Sequence, residues 1–282
     1  MPISNRKKMA LSGALLAAAV LLEGGWLQKY FFEVRRFRIG PRRGGPTLRI
    51  LLLTDLHFRR RLFPFHRRLA RKVRALQPDL ILFAGDTLDD DGHAAPVDQF
   101  FSLLPRVPLI GIPGNHDRLA AIPLSGLEDL FRKHAGRLLI NETVTLTLKE
   151  VPLTVTGLDD TIQGVSNLQA AVQDTGREPH HLMLIHSPVQ QEEVLSGLEK
   201  INRSRPAAAQ LAVQYLFAGH NHGGQIRLPF FIPVLPAFGG AYVEGWYNPQ
   251  PPYLYLSRGF GTTTIPLRFA SRSEVTLFEY EA

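Results

Sequence analysis

Short apolar runs, each ending in a polar cluster, set the pattern of this chain. Residues 48–53 (LRILLL), 80–84, 109–112, 181–185 and 215–218 are strongly apolar stretches, which predict buried strands. Residues 144–148 and 153–157 alternate around a short turn and predict half-buried strands. Residues 253–256 and 275–280 close the chain as strands. Helical periodicity marks 66–76, with Leu69, Val73 and Leu76 on one stripe, and also 127–134, 165–173 and 189–200. Residues 225–252 are rich in Pro and Gly and predict a long structured loop. Strands alternate with helices early and follow one another later. That order predicts one layered α/β domain with two sheets, not one doubly wound sheet.

The front of the chain differs from the rest. Residues 9–22 carry no charge over 14 positions, about 21 Å as a helix, with Arg6, Lys7 and Lys8 before them. No small-x-small cleavage site follows, so an uncleaved anchor is favoured over a cleaved signal or a buried helix, with Trp26 and Tyr30 at headgroup level. The heavier basic flank follows the run, which directs the rest of the chain to the cytoplasmic face. The expected layout is an anchor with its basic flank over 1–38, a linker over 39–47 and a folded domain over 48–282. Its expected location is an inner membrane, held by a single span or a monotopic helix.

Charge sharpens this division. Residues 1–74 hold eighteen Lys and Arg against three Asp and Glu, a balance of +15, and the remainder carries −8. So uneven a distribution points to an anionic partner for the front half. The chain has no cysteine, which excludes disulfides, a thiolate nucleophile and Cys-ligated metals.

The candidate chemistry stands where the buried strands stop: Asp55-Leu56-His57, Gly85-Asp86, Gly114-Asn115-His116-Asp117, His186 and Gly219-His220-Asn221-His222. Ligands of α/β sheets bind beyond the carboxyl ends of strands. Asp55, His57, Asp86, Asn115, His186, His220 and His222 are oxygen and nitrogen donors suited to Mn, Fe or Zn. Seven are too many for one tetrahedral ion and suit two ions sharing a carboxylate. In Asp-x-His and His-x-His, an extended backbone would point both side chains the same way. A two-metal centre lowers the pKa of bound water and holds both oxygens of an in-line phosphoryl displacement.

These five blocks, in this order, resemble the signature of the calcineurin-like metallophosphoesterases, in a membrane-associated bacterial branch. Gly223-Gly224-Gln225 after the last histidine and Gly259-Phe260-Gly261 also fit that branch. The resemblance implies a layered sandwich of two mixed β-sheets flanked by helices, and hydrolysis of a phosphoester or pyrophosphate with two divalent ions, Mn first and Fe or Zn as alternatives. It implies Asp55, His57 and His222 on one ion, Asn115, His186 and His220 on the other, and Asp86 between them. His116 would contact the scissile phosphate, with Asp117 orienting its ring. Asp89, Asp90, Asp91 and His93 read as a solvated loop.

The substrate must be read from the surroundings. Residues 58–74 (FRRRLFPFHRRLARKVR) are basic and aromatic and start beside His57. Arg59, Arg60, Arg61, Phe63, Phe65, Arg67 and Arg68 are candidate contacts to substrate or to an anionic phospholipid membrane. The apolar stretch 230–236 follows the last ligands and suits an acylated phosphate or nucleotide-sugar substrate. Metallophosphoesterases of similar type include a UDP-2,3-diacylglucosamine pyrophosphatase of lipid A synthesis, which releases UMP and 2,3-diacylglucosamine 1-phosphate. A general phosphodiesterase or phospholipid phosphohydrolase, a nuclease and a non-catalytic membrane- or wall-binding protein are the other readings. Nucleic acid is disfavoured as a partner, and no obligate protein partner is evident.

Overall fold

The computed structural model describes residues 12–13, 24, 28–41, 44–228, 230–233 and 235–282. A helical turn over Gln28–Tyr30 leads into β1 (Glu33–Ile39) and β2 (Thr47–Leu53). Next come α1 (Pro64–Ala75), β3 (Leu80–Ala84), α2 (Ala94–Ser102), β4 (Leu109–Ile112), α3 (Asn115–Leu119), α4 (Leu124–Lys133) and β5 (Gly136–Leu138). A hairpin of β6 (Glu142–Leu148) and β7 (Val151–Gly157) opens the second half. It continues through α5 (Leu168–Ala171), β8 (His181–Leu184), α6 (Gln190–Arg203) and β9 (Tyr215–Ala218). β10 (Gly245–Tyr247), β11 (Tyr253–Leu256) and β12 (Glu274–Glu281) complete the chain.

Two six-stranded mixed sheets result, ordered β1-β12-β2-β3-β4-β5 and β10-β11-β9-β8-β7-β6. Alternation along the strands makes the layers. In β2, Leu51 and Leu53 face α1, α2 and α4, whereas Leu48, Ile50 and Leu52 face the second sheet. In β8 and β9, Met183 and Leu216 pack under α5 and α6, whereas Leu184 and Phe217 join the layer between the sheets. Helix–sheet–sheet–helix is the layered α/β architecture that the residue pattern predicts.

The N-terminal expectations change. β1 pairs in parallel with β12 over its whole length, Glu33 with Glu274 through Ile39 with Tyr280. Arg35, Arg36 and Arg38 therefore sit on an edge strand of the catalytic domain, not on the flank of an anchor. Its alternation of Arg with Val, Phe and Ile suits a strand with one partly solvated face. Among the described residues, no helix is long and apolar enough to cross a membrane. This overturns the expected inner-membrane placement through an N-terminal anchor. Apart from Ser12 and Gly13, the run 9–22 lies outside the described residues, as does Trp26. The helix expected over 165–173 shortens to Leu168–Ala171, with the Asn167 side chain accepting from the Ala170 amide at its start.

Candidate metal centre

Strands β2, β3, β4, β8 and β9 end on the same side of the molecule and deliver all seven candidate ligands there. β2, β3 and β4 run parallel in one sheet, and β8 and β9 run parallel in the other. The centre therefore lies across the seam of the two sheets. Asp55, His57, Asp86 and Asn115 come from the first sheet, and His186, His220 and His222 from the second.

Left-handed backbone produces the convergence. Asp55 (φ 51°), His57 (47°), Asp86 (51°), His220 (73°) and His222 (50°) all have positive φ. Asp55 and His57 lie past the end of β2, so the extended alternation expected for Asp-x-His does not aim them. Non-glycine residues in this region cost about 1–3 kcal/mol each, and such strain gathers at functional sites. Close approach explains two of the glycines. A Cβ on Gly114 would stand 2.2 Å from Asp86 Oδ1, and one on Gly219 2.5 Å from Asp55 Oδ2.

The ligands form two groups joined by one carboxylate. Asp55, His57 and His222 lie together, as do Asp86, His186 and His220. His57 Nε2 and His222 Nε2 face each other at 3.1 Å, and His222 Nε2 stands 3.6 Å from Asp55 Oδ1. Asp86 Oδ2 is 3.2 Å from His186 Nε2 and 3.6 Å from His57 Nε2, so it touches both groups. Asn115 Oδ1 is 3.2 Å from His186 Nε2.

Outer contacts fix the rings. His186 Nδ1 donates to Ala84 O at 2.8 Å and His220 Nε2 to Ala237 O at 2.8 Å. Each ring thus turns its remaining nitrogen inward, the orientation a metal needs. His222 differs, because its Nδ1 accepts from Arg268 Nη2 at 3.1 Å. Arg268 is wholly buried, and its other N–H groups reach the carbonyls of Gly261, His222, Ser271 and Arg258. Burial lowers its guanidinium to about 9.

The electrostatics favour a cation. Burial opposes ionisation of Asp86, yet His186 and His57 hold its carboxyl well below the usual range. Burial also opposes charge on His186, but the Asp86 carboxylate pushes this imidazole up to about 10. Burial holds His220 down to about 4, a neutral ligand at neutral pH. His57 Nδ1 is buried without a hydrogen-bond partner among the described residues. Facing imidazole nitrogens, buried carboxylates and an all-oxygen-and-nitrogen donor set fit two divalent ions.

Around His116 the structure departs from the sequence reading. Asp117 does not orient this ring, because its carboxylate accepts the backbone N–H groups of Thr87, Leu88 and Gly114. Asp90 takes that place, with His116 Nδ1 2.6 Å from Asp90 Oδ1. The loop read as solvated therefore carries a contact to the site. Asp89 is buried as well, with Oδ1 3.6 Å from His57 Nδ1 and a hydrogen bond from Arg59. No sequence signal separates Asp89 and Asp90 from Asp91, since all three sit in one acidic run.

The basic segment divides. Arg59 is paired with Asp89, and Arg60 lies 3.6 Å from Asp91. Phe63 stacks on Phe65 with ring centroids 5.4 Å apart, and both line a cavity of about 380 Å³ that reaches His57. Arg61 is exposed before α1, and Arg67 and Arg68 are exposed on it, with Arg68 over the Phe31 ring.

The chain is 29% identical to the uncharacterized metallophosphoesterase YkuE of Bacillus subtilis (strain 168), over 73% of this chain and 69% of that protein. It is 28% identical to the phosphodiesterase YaeI of Escherichia coli (strain K12), over 98% of this chain and 99% of that protein. A crystal structure of TT1561 of Thermus thermophilus overlaps 61% of this chain and 81% of its own, with TM-score 0.40 and 13% identity. Residues 48–224 match the calcineurin-like phosphoesterase family and carry all five strand-end blocks described above. With more than half of its length matched in this way, the chain belongs to that family and is a metal-dependent hydrolase of the metallophosphoesterase type.

Proposed function

We propose that the chain hydrolyses a phosphodiester or pyrophosphate bond with two Mn ions, and that UDP-2,3-diacylglucosamine is the specific substrate to test first. The observation that carries the reading is the pair of buried ligand groups sharing Asp86, with His116 on their open side. When bound, the ions supply Lewis acidity and an activated water for in-line displacement at phosphorus. Asp55, His57 and His222 would hold one ion, and Asn115, His186 and His220 the other. Asp86, which lies beside both groups, would serve either ion, and it accepts the His116 backbone N–H through Oδ1 at 2.9 Å. That bond ties the histidine loop to the centre. With Asp90 on Nδ1, His116 keeps Nε2 on the cleft side, 3.3 Å from Thr263 Oγ1. There it is placed to hydrogen-bond the phosphoryl group and to give a proton to the leaving oxygen. The match to a phosphodiesterase over nearly the whole chain supports a diester.

Purified full chain with Mn should cleave bis(p-nitrophenyl) phosphate and should lose this activity in EDTA. Product masses from UDP-2,3-diacylglucosamine, lipid phosphates and oligonucleotides, assayed in parallel, would separate the pyrophosphatase, lipid phosphohydrolase and nuclease readings. Asp86→Ala should lower turnover by at least about 10³-fold, since it opens both positions at once. Full activity in a Mn-replete Asp86→Ala protein would sink the assignment.

A further inference from the structure

Beside the metal centre lies a cleft of about 540 Å³, and Asn115, His116, His220 and His222 form part of its wall. The rest is mostly apolar, with Ile162, Ile226, Pro236, Phe238 and Ile265. Phe238 is 63% exposed and Ile265 50% exposed, so both present apolar surface to water. Among the described residues, no Lys, Arg, Asp or Glu lines the cleft.

The cleft is built on the ligand block itself. His220 Nε2 donates to Ala237 O, Ser187 Oγ to Phe238 O and Asn221 Nδ2 to Gly239 O. These bonds fix one wall to the strand ends that carry the ligands. The opposite wall, Thr263–Ile265, is stapled by Gln225. Its Nε2 donates to Thr263 O at 3.1 Å and Ile265 O at 2.8 Å, and its Oε1 accepts from Thr263 N at 3.1 Å. The amide most able to recognise a polar ligand is spent on holding the wall. Clefts of this size with apolar walls next to reacting groups are where small ligands commonly bind.

We propose that this cleft takes an aliphatic chain carried on one arm of the scissile phosphate, directly or through an acylated headgroup, so that the substrates are phosphoesters with one long apolar arm. The inference rests on the phosphoester reading above and adds the arm and the residues that select it. Filling the cleft with an unacylated sugar or a nucleotide would leave hydroxyls and charges facing Ile226, Ile265 and Phe238, with few polar partners. An alkyl arm removes the same surface from water.

A homologous series of p-nitrophenyl n-alkyl phosphates, from methyl to octyl, tests this with the Mn-loaded full chain below micellar concentrations. Full burial is worth about 0.8 kcal/mol per methylene, or about 4-fold. The expected rise in kcat/KM is about 2–4-fold per added carbon until the cleft is full. The double variant Phe238→Ser/Ile265→Ser should flatten that slope, whatever its absolute rate. Competitive inhibition by alkyl phosphates should tighten along the same series, a readout that needs no turnover of the arm under test. A flat slope with good turnover of the methyl ester overturns the aliphatic-arm inference and leaves the phosphoester reading intact. An unchanged slope in the double variant overturns the assignment to this cleft. Absence of metal-dependent turnover on every ester overturns the underlying reading.

Discussion

At the scale of single residues, neighbouring carboxylates carry different tasks. Asp117 is buried, and burial together with Asp86 raises its carboxyl to about 7. It still accepts three backbone N–H groups that bind the β3 and β4 loops together. Asp90 is exposed and, among the described residues, its carboxylate touches the His116 ring alone. Asp117→Ala should therefore cost about 2–4 kcal/mol of stability, by leaving buried donors unpaired. Asp90→Asn should leave the melting temperature unchanged and lower kcat about 10-fold by releasing the ring. Thermal melts and steady-state kinetics on both proteins check the division, and a stable, fully active Asp90→Asn variant would remove the orienting role. A histidine outside the centre sets a pH limit. His181 is wholly buried beside Thr156 Oγ1, and burial lowers its imidazole to about 4. The unfolded chain takes up this proton near pH 6.5. The contribution of neutral His181 is therefore complete above pH 6.5 and is lost as pH falls toward 4. By pH 5 the loss should reach about 2 kcal/mol, from 1.36 kcal/mol per unit. Urea midpoints between pH 7.5 and 5 should fall less steeply in His181→Gln, and parallel curves would contradict the linkage.

At the scale of elements, Arg268 joins segments that the sheets alone leave separate: the turn after β9, the loop after β11 and the approach to β12. Its charge is buried with all five donors satisfied and, among the described residues, no carboxylate in direct contact, an arrangement that depends on those carbonyls. Arg268→Met should destabilise the metal-free protein by about 3 kcal/mol or more, and Arg268→Lys by less, because three donors replace five. Denaturant midpoints measure this, and a loss below about 1 kcal/mol in Arg268→Met would remove its joining role. The same elements show what the chain discloses in advance. β2, β3, β4, β8 and β9 are legible because both faces are largely buried, which makes each a mainly apolar run followed by a candidate ligand. β1 is not, since four charged residues in its seven read as a basic flank until β12 is seen beside it. α2 starts Ala94-Ala95-Pro96, where proline hides a helix that tolerates it in the first turn. The gathering of Asp, Asn and His at one edge of the sheets is legible because such residues after buried strands have few other uses. The Asp90 contact is not, because it depends on how a polar loop folds back over α3. Arg268 is equally hidden, since nothing local distinguishes a buried arginine from a solvated one.

At the scale of the molecule, the division of ligands between the sheets has a thermodynamic consequence. The first sheet supplies Asp55, His57, Asp86 and Asn115, and the second supplies His186, His220 and His222. Each ligand group draws on both: Asp55 and His57 meet His222, and Asp86 meets His186 and His220. An ion held by either group therefore binds only when the sheets are packed on each other through the layer of Leu52, Leu82, Leu184 and Phe217. The unfolded chain lacks this arrangement, so metal should stabilise the whole packed unit. Free Mn at 100 times the dissociation constant contributes about 2.7 kcal/mol per site, or about 5 kcal/mol for two. For a domain of this size that is a rise in Tm of about 10–20 °C. Calorimetry of EDTA-stripped and Mn-replete protein should show one transition that moves as a unit. Asp86→Asn should shrink the shift to less than half, because it weakens both groups together. A Mn-dependent shift confined to part of a split transition would mean that the ions bind within one sheet. The seam would then lose its role as the place where metal, fold and chemistry are coupled.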